Sequence, residues 1–373
     1  MPSESLFSIY PLEDYRVHRE EIEAALHAML EKGHYILGSE VTAFEREFAG
    51  WTGVRHAIGV ANGTDAIELL LRGLSIGHGA SVAVPSHTAV ASVSAIARAG
   101  ATPVFLDVDP ETYTVSPESL EMALTGDKSI KAVLAVHLYG HPSDIAGLQT
   151  ACDRHGVILL EDCAQAHGAT WQGRKAGSLA RGAAFSFYPT KNLGAIGDAG
   201  AITTDDDALA SRIREVRQYG WRERYISGVE GVNSRLDEMQ AAILRVKLRV
   251  LERRNSARRR LALLYAEGLR GSSFVTAPVV KHGCEHAFHL YVVRSKQRDA
   301  LMKHLLDAGV PVALHYPAAV HQQPAYASAR CRPLTQTEAL IPEILTLPLH
   351  PYLSEEAVQF TLDVIRRFTP KHA

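Results

Sequence analysis

The sequence predicts an α/β fold with a mostly parallel sheet of seven-stranded type in a large domain, followed by a small α+β C-terminal domain. Three observations carry that reading. Apolar, β-branched runs alternate with helix-length segments. Glycines (Gly100, Gly156) stand directly behind helical stretches. Polar clusters follow the strands, where open α/β sheets gather ligands.

In order, Tyr15–Lys32 has the apolar spacing of one amphipathic helix, and Val41–Phe48 continues in that style. Strands are expected over His56–Val60, Ser81–Val84, Thr102–Asp107, Ile130–Val136, Val157–Leu160, Ala183–Tyr188 and Ala199–Thr203. Between them helices are expected from Ala61 to Arg72, and over Ala89–Ala99, Ile145–His155 and Asp206–Arg217. Tyr219–Gly231 reads as an exposed loop, and Asp237–Leu263 as one long helix along which the domain boundary falls, giving residues 1–250 and 251–373. Its basic clusters, Arg253-Arg254 and Arg258-Arg259-Arg260, read as a solvated face. Beyond it come strand Leu290–Arg294, helix Arg298–Ala308, strand Val312–Leu314 and a terminal helix from Ser354.

A chain of 373 residues, 46% hydrophobic, is long enough for a sizeable core. Its net charge of -2 argues against a dedicated nucleic-acid binder or a polybasic membrane protein. Apolar runs fall short of the roughly 20 residues of a membrane helix, and Met1–Tyr10 lacks the pattern of a secretory signal. Cys152, Cys163, Cys284 and Cys331 are scattered, which reads as free thiols in a reducing cytoplasm. On that reading the sequon Asn62-Gly63-Thr64 is discounted. Cys284, His286 and His289 lack a fourth ligand and a standard spacing, so no metal is assigned.

Candidate chemistry collects in three places. The strand through Phe185 breaks at Pro189 and delivers Lys191 into a glycine-spaced loop, Gly194 to Gly200. A lysine partly desolvated there becomes a nucleophile able to form a Schiff base, whereas an isolated loop lysine is ordinarily just solvated. Gly63-Thr64 opens a helix whose free N–H groups make an anion site, the plain alternative being a simple cap. Asp162 ends a strand buried on both faces, where a carboxylate needs a cation or several donors, unless it is only a helix cap. Asp198 is a weaker candidate that orders the turn. A pyridoxal phosphate site needs an amine, an anion cradle and a carboxylate at the ring nitrogen, and these residues supply all three.

The motifs Gly33-His34-Tyr35-Ile36-Leu37-Gly38, Asn62-Gly63-Thr64-Asp65-Ala66, His137-Leu138-Tyr139-Gly140, Glu161-Asp162 with Ala164-Gln165-Ala166-His167-Gly168, and Gly231-Val232-Asn233-Ser234-Arg235-Leu236 go further. Through them the chain resembles the DegT/DnrJ/StrS family of pyridoxal-phosphate sugar aminotransferases, of the aspartate aminotransferase fold (fold type I). The resemblance implies that Lys191 carries the cofactor and shuttles the proton, Asp162 pairs with the pyridine nitrogen, and Gln165 contacts the ring hydroxyl. It assigns the phosphate to Gly63, Thr64 and Ser186, with Asn233 reaching in from a second subunit of a homodimer. Many relatives place a ring-stacking aromatic after the threonine of Pro85-Ser86-His87-Thr88; here Ala89 stands there, which leaves His87 to cover the ring.

Ser186 to Ala195 with Gly197-Asp198, and Tyr219 to Tyr225, resemble enzymes that aminate C-3 of dTDP-linked 3-keto-6-deoxyhexoses. The resemblance implies L-glutamate as donor and a ping-pong cycle through pyridoxamine phosphate. Tyr188, His315 and Tyr316 are expected to line the sugar pocket, and Arg222 or Arg224 to meet the diphosphate. A UDP-linked 3-keto-2-acetamido sugar is the runner-up. Pyridoxamine-dependent dehydratases resembling this family replace the lysine with histidine, a nicotinamide dehydrogenase would need a GxGxxG absent here, and a non-catalytic protein on this fold would not need the full cofactor set.

Overall fold

The computed structural model describes residue 7 and residues 10–369. Most of the Met1–Tyr10 stretch read for a signal therefore lies outside the described residues.

The central sheet contains β1 (His56–Val60), β2 (Ser81–Pro85), β3 (Thr102–Leu106), β4 (Ile130–Val136), β5 (Ile158–Asp162), β6 (Ala183–Ser186), β7 (Gly200–Thr204) and β8 (Arg330–Cys331). Their spatial order is β1-β7-β6-β5-β4-β2-β3-β8. β6, β5, β4, β2, β3 and β8 run parallel; β7 is antiparallel to both β6 and β1. The two-residue β8 adds an eighth strand to the expected sheet. It is too short to show as a periodic run.

The pleat sends alternate residues to opposite faces. Along β4, Ala132, Leu134 and Val136 join one hydrophobic cluster while Val133 and Ala135 join another. Both faces are therefore covered by helices, which is why these strands read as unbroken apolar runs. On one face lie α4 (Gly63–Gly73), α5 (Val90–Arg98) and α8 (Asp207–Val216); on the other, α6 (Pro117–Gly126) and α7 (Ile145–His155). Local chemistry sets their ends. Asn62 accepts the Asp65 N–H at the start of α4, Asp144 accepts the Gly147 N–H at the start of α7, and Gly156 closes α7 at φ 65°.

Before the sheet come α1 (Tyr10–Val17), α2 (Arg19–Lys32) and α3 (Ser39–Thr52). The expected Tyr15–Lys32 helix is thus divided at His18, which leaves the helical conformation at φ -116° and ψ 22°. The Gly33–Gly38 motif has a packing reason. The Glu238 carboxylate caps the start of α3 by accepting the N–H groups of Gly38, Glu40 and Val41 at 2.8–2.9 Å. A Cβ on Gly38 would lie 2.8 Å from that carboxylate.

The expected Asp237–Leu263 helix is two helices, α9 (Glu238–Leu248) and α10 (Leu251–Gly268), meeting at Val250. Its basic residues divide. Arg253 and Arg260 are exposed, but Arg254 and Arg258 are buried, contrary to a solvated face. Arg258 donates to the carbonyls of Phe288, His289 and Leu349, and Arg254 pairs with Asp14.

A separate cluster holds the C-terminal elements together. Tyr291–Arg294 pairs antiparallel with Ile344–Leu347, packed by α10, α11 (Arg298–Asp307) and α12 (Glu355–Arg367). The expected strand Val312–Leu314 reduces to one bridge, Ala313 to Thr346. Strand Ala183–Tyr188 ends at Ser186, and Tyr219–Gly231 holds a small hairpin, Trp221–Glu223 with Ile226–Ser227. Among the described residues no helix is long and apolar enough to cross a membrane.

Candidate active site

The carboxyl ends of β2, β4, β5 and β6 meet the amino end of α4 and the His315–Tyr316 segment, and most of the predicted residues assemble there. β6 and β7 pack directly on the Asn62-Gly63 turn. A Cβ on Gly63 would lie 2.6 Å from the Ser186 Cβ, and one on Gly200 would lie 2.4 Å from the Asn62 carbonyl oxygen. The glycines thus bring the first N–H groups of α4 against Ser186. Those groups precede any intrahelical acceptor and carry the positive end of the helix dipole.

Lys191 sits in the turn after β6. Its N–H donates to the Tyr188 carbonyl and its own carbonyl accepts from the Tyr10 hydroxyl at 3.2 Å. The neighbouring Asn192 anchors the turn: its Nδ2 donates to the Ala287 carbonyl and to Asn255 Oδ1. Burial lowers the Lys191 pKa to about 8, and the nearby Asp162 carboxylate offsets part of that fall. The amine is therefore unprotonated over a range where an ordinary lysine is charged.

Asp162 ends β5, 5% exposed. Its Oδ1 accepts the Ala164 N–H at 3.0 Å and its Oδ2 accepts the Ser92 hydroxyl at 2.7 Å. Thr88 Oγ1 lies 3.0 Å from Ser92 Oγ and, because the Ser92 proton goes to Asp162, is the donor there. Glu161, on the opposite face of β5, has a different occupation. It accepts the N–H groups of Gly177, Leu179 and Ala180 and the Nε2–H of buried His137. With Cys163 this is a cluster of metal-ligand type, but its donor atoms are already engaged in structural hydrogen bonds.

Gln165 Oε1 accepts the Tyr139 N–H at 2.6 Å while its Nε2 donates to Tyr316 Oη at 3.0 Å. The Tyr139 hydroxyl donates to the His315 carbonyl and receives the His87 Nε2–H at 2.8 Å. His87 is therefore enclosed, edge-on to Tyr113 and Tyr139, and burial lowers its pKa to about 4. His315 Nδ1 lies 2.9 Å from Thr346 Oγ1, and burial raises the Tyr316 pKa to about 12. His167 lies between Phe185 and Phe187, kept neutral by burial, with a pKa of about 3.

The other predicted residues lie further out. Tyr188 is 52% exposed; Asn233 and Asp198 are exposed; Arg222 and Arg224 project from the hairpin, Arg222 3.8 Å from Glu215 and Arg224 over the Tyr225 ring. Sequence reasoning passed over Ser92, Thr88, Asn192 and Tyr10. Of these, Thr88 and Ser92 alone carried a local signal, two hydroxyls at helical i, i+4 spacing behind the Pro85–Thr88 segment.

An amine of lowered pKa, a fixed buried carboxylate and a helix N-terminus whose glycine is pressed onto a serine fit a phosphate-bearing pyridine aldehyde. Fold and site define a pyridoxal-phosphate-dependent enzyme. The chain belongs to the DegT/DnrJ/EryC1/StrS aminotransferase family, whose model matches residues 16–366. It is 45% identical over 93% of its length to "Erythromycin biosynthesis sensory transduction protein EryC1" of Saccharopolyspora erythraea, covering 95% of that protein. It is 43% identical over 96% of its length to dTDP-3-amino-3,4,6-trideoxy-alpha-D-glucose transaminase of Streptomyces venezuelae, covering 94% of it. A UDP-N-acetyl-3-dehydro-alpha-D-glucosamine 3-aminotransferase of Acidithiobacillus ferrooxidans is 41% identical over 96% of this chain and 97% of its own. The crystal structure of S. venezuelae DesV with a ketimine intermediate superposes with a TM-score of 0.93 at 43% identity, covering 95% of this chain and 96% of that one.

Proposed function

We propose that this aminotransferase moves an amino group from L-glutamate to C-3 of a dTDP-linked 3-keto-6-deoxyhexose. The observation that carries the reading is Lys191, delivered with a lowered pKa beside the Asp162 carboxylate. The whole-length similarity to a dTDP-3-amino sugar transaminase supports the substrate class.

Bound pyridoxal phosphate would supply the carbonyl that carries the amino group and the ring that delocalises charge from the substrate carbon. Gly63, Thr64 and Ser186 would hold its phosphate at the start of α4, and Asp162 would hold its ring nitrogen. Gln165 offers Nε2–H toward the ring hydroxyl side, fixed by Tyr139 and Tyr316. Lys191 Nζ takes the proton from C-2 of glutamate and, in the second half of the cycle, returns one to C-3 of the sugar. On this reading Tyr316, bonded to Gln165 at 3.0 Å, and the adjoining His315 line the sugar pocket with the exposed Tyr188, and Arg222 and Arg224 attract the diphosphate.

The reading includes a homodimer that completes each site with the partner's copy of the Asn233 segment. Exposed Tyr188, Ile196 and Met239, at 45–52% exposure, support an apolar surface for a second copy. Free Cys152, Cys163, Cys284 and Cys331 support a reducing, cytoplasmic setting.

The test is incubation with L-glutamate and either the dTDP-linked 3-keto-6-deoxy sugar or a UDP-linked 3-keto-2-acetamido sugar, followed by mass spectrometry. Amination of the dTDP sugar at a kcat/KM at least tenfold higher is expected. Turnover of the UDP sugar alone would establish the second reading, and turnover of neither would overturn both proposed substrates.

A further inference from the structure

Helix α1 lies far in sequence from every residue assigned above, yet two of its side chains reach the lysine turn. Tyr10 and Asp14 stand at i, i+4 on one face. The Tyr10 hydroxyl donates to the Lys191 carbonyl at 3.2 Å. Asp14, 1% exposed, accepts the Tyr352 hydroxyl at 2.9 Å and forms ion pairs with Lys247 at 2.7 Å and Arg254 at 2.5 Å. Lys247 in turn donates to the Gly194 carbonyl at 2.8 Å. The same face is tied to the C-terminal elements. Tyr10 stacks on His350 and Tyr352, with ring centroids 5.9 and 6.4 Å apart, and the Arg258 guanidinium lies 5.0 Å from its ring.

We propose that α1 is a brace for the catalytic lysine, in which Tyr10 directly and Asp14 through Lys247 hold the two ends of the Lys191–Gly194 turn. The inference rests on the reading of Lys191 as the reacting amine. Two features make a brace, rather than ordinary packing, the better account. The contacts fall on main-chain oxygens of the turn itself, so they fix its backbone rather than fill a cavity. A buried carboxylate facing two cations is costly to assemble and is maintained only with every partner in place, which ties Lys247, and so Gly194, to the position of α1. Tyr10 and Asp14 are therefore positioning residues. They set where Nζ points without touching the reacting atoms, and a shift of about 1 Å in such a group is enough to slow chemistry.

Tyr10→Phe tests this in the full chain, because it keeps the ring and its stacking and removes one hydroxyl. Hydrogen exchange read by mass spectrometry reports the Lys191 and Ala195 amides, which donate to the Tyr188 and Phe187 carbonyls. Loss of one such bond is expected to speed exchange across 191–195 roughly three- to tenfold. Exchange across β7 and the thermal midpoint should stay as in the parent. In the cofactor-loaded enzyme kcat for the glutamate half-reaction should fall with KM unchanged. Asp14→Asn is the second variant, expected to loosen the same peptide from its Gly194 end. Unchanged exchange across 191–195 in both variants would overturn the brace. So would faster exchange spread over α10 and residues 345–352 with a lowered midpoint. The exchange arm needs no turnover, so it stands or falls separately from the transamination reading.

Discussion

Ser92 Oγ and Asp162 Oδ2 lie 2.7 Å apart, although the residues are 70 positions apart in sequence. Ser92 is buried on α5, is itself held by Thr88, and fixes the plane of the carboxylate whose other oxygen takes the Ala164 N–H. Replacing Ser92 with Ala removes the donor and leaves a buried oxygen of Asp162 short of a partner. Pyridoxal phosphate affinity and the glutamate half-reaction should each fall about five- to tenfold, equivalent to roughly 1–1.4 kcal/mol. Stopped-flow absorbance checks the rate, and Ser92→Thr should restore most of it.

Gly63 admits no side chain. A methyl group there must displace either Ser186 or the start of α4, because 2.6 Å between carbons is well inside contact distance. Gly63→Ala should weaken cofactor binding by more than tenfold, measured by fluorescence titration. The same substitution at Gly33, which has open space within 4 Å, should leave cofactor binding unchanged.

The lowered pKa of Lys191 has a consequence for stability. Burial, its largest cause, makes the folded chain release this proton at about 8, whereas the ordinary value is 10.5. Between those values the unfolded chain holds a proton that the folded chain does not, so this group adds stability as pH rises through the window. Below about 8 the folded state carries the cost of a buried ammonium. Lys191→Met should therefore be more stable than the parent at pH 7, and the gap should close by about 1–3 kcal/mol toward pH 10.5 in urea unfolding of the cofactor-free proteins. Asp162 raises the Lys191 value, so Asp162→Asn should move the amine's acylation midpoint below about 8.

Glu161 and Asp162 are neighbours on opposite faces of one strand, and their tasks differ accordingly. Glu161→Gln would set an amide NH₂ among N–H donors that now share a carboxylate. A loss of about 2–4 kcal/mol in unfolding free energy is expected. The Lys191 labelling midpoint should not move.

Much of the architecture was legible because local rules agreed with the fold. β4 and α7 carry their boundaries in their own residues: β4 is an unbroken apolar run, and α7 opens after Asp144 and closes at Gly156. The break between α9 and α10 was hidden because Val250 is neither Gly nor Pro and continues the apolar spacing. Arg254 and Arg258 read as solvated for want of their partners. Those partners are distant in sequence: Asp14 for Arg254, and Tyr10 with the Phe288, His289 and Leu349 carbonyls for Arg258. The same reason hid Tyr10, whose task depends wholly on a tertiary contact. Lys191, Gly63 and Asp162 were readable because strand ends and helix starts announce themselves locally. What surrounds Ala89 was not, and there the structure turns His87 onto Tyr139.

The most direct measurement is the visible spectrum of the purified enzyme loaded with pyridoxal phosphate, before and after L-glutamate, beside Lys191→Ala. A yellow band that glutamate converts to the pyridoxamine form in the parent, slowed at least a thousandfold in the variant, is the predicted result. A band that glutamate leaves untouched, or a variant that converts as fast as the parent, would contradict the assignment of Lys191 as the group that moves the proton.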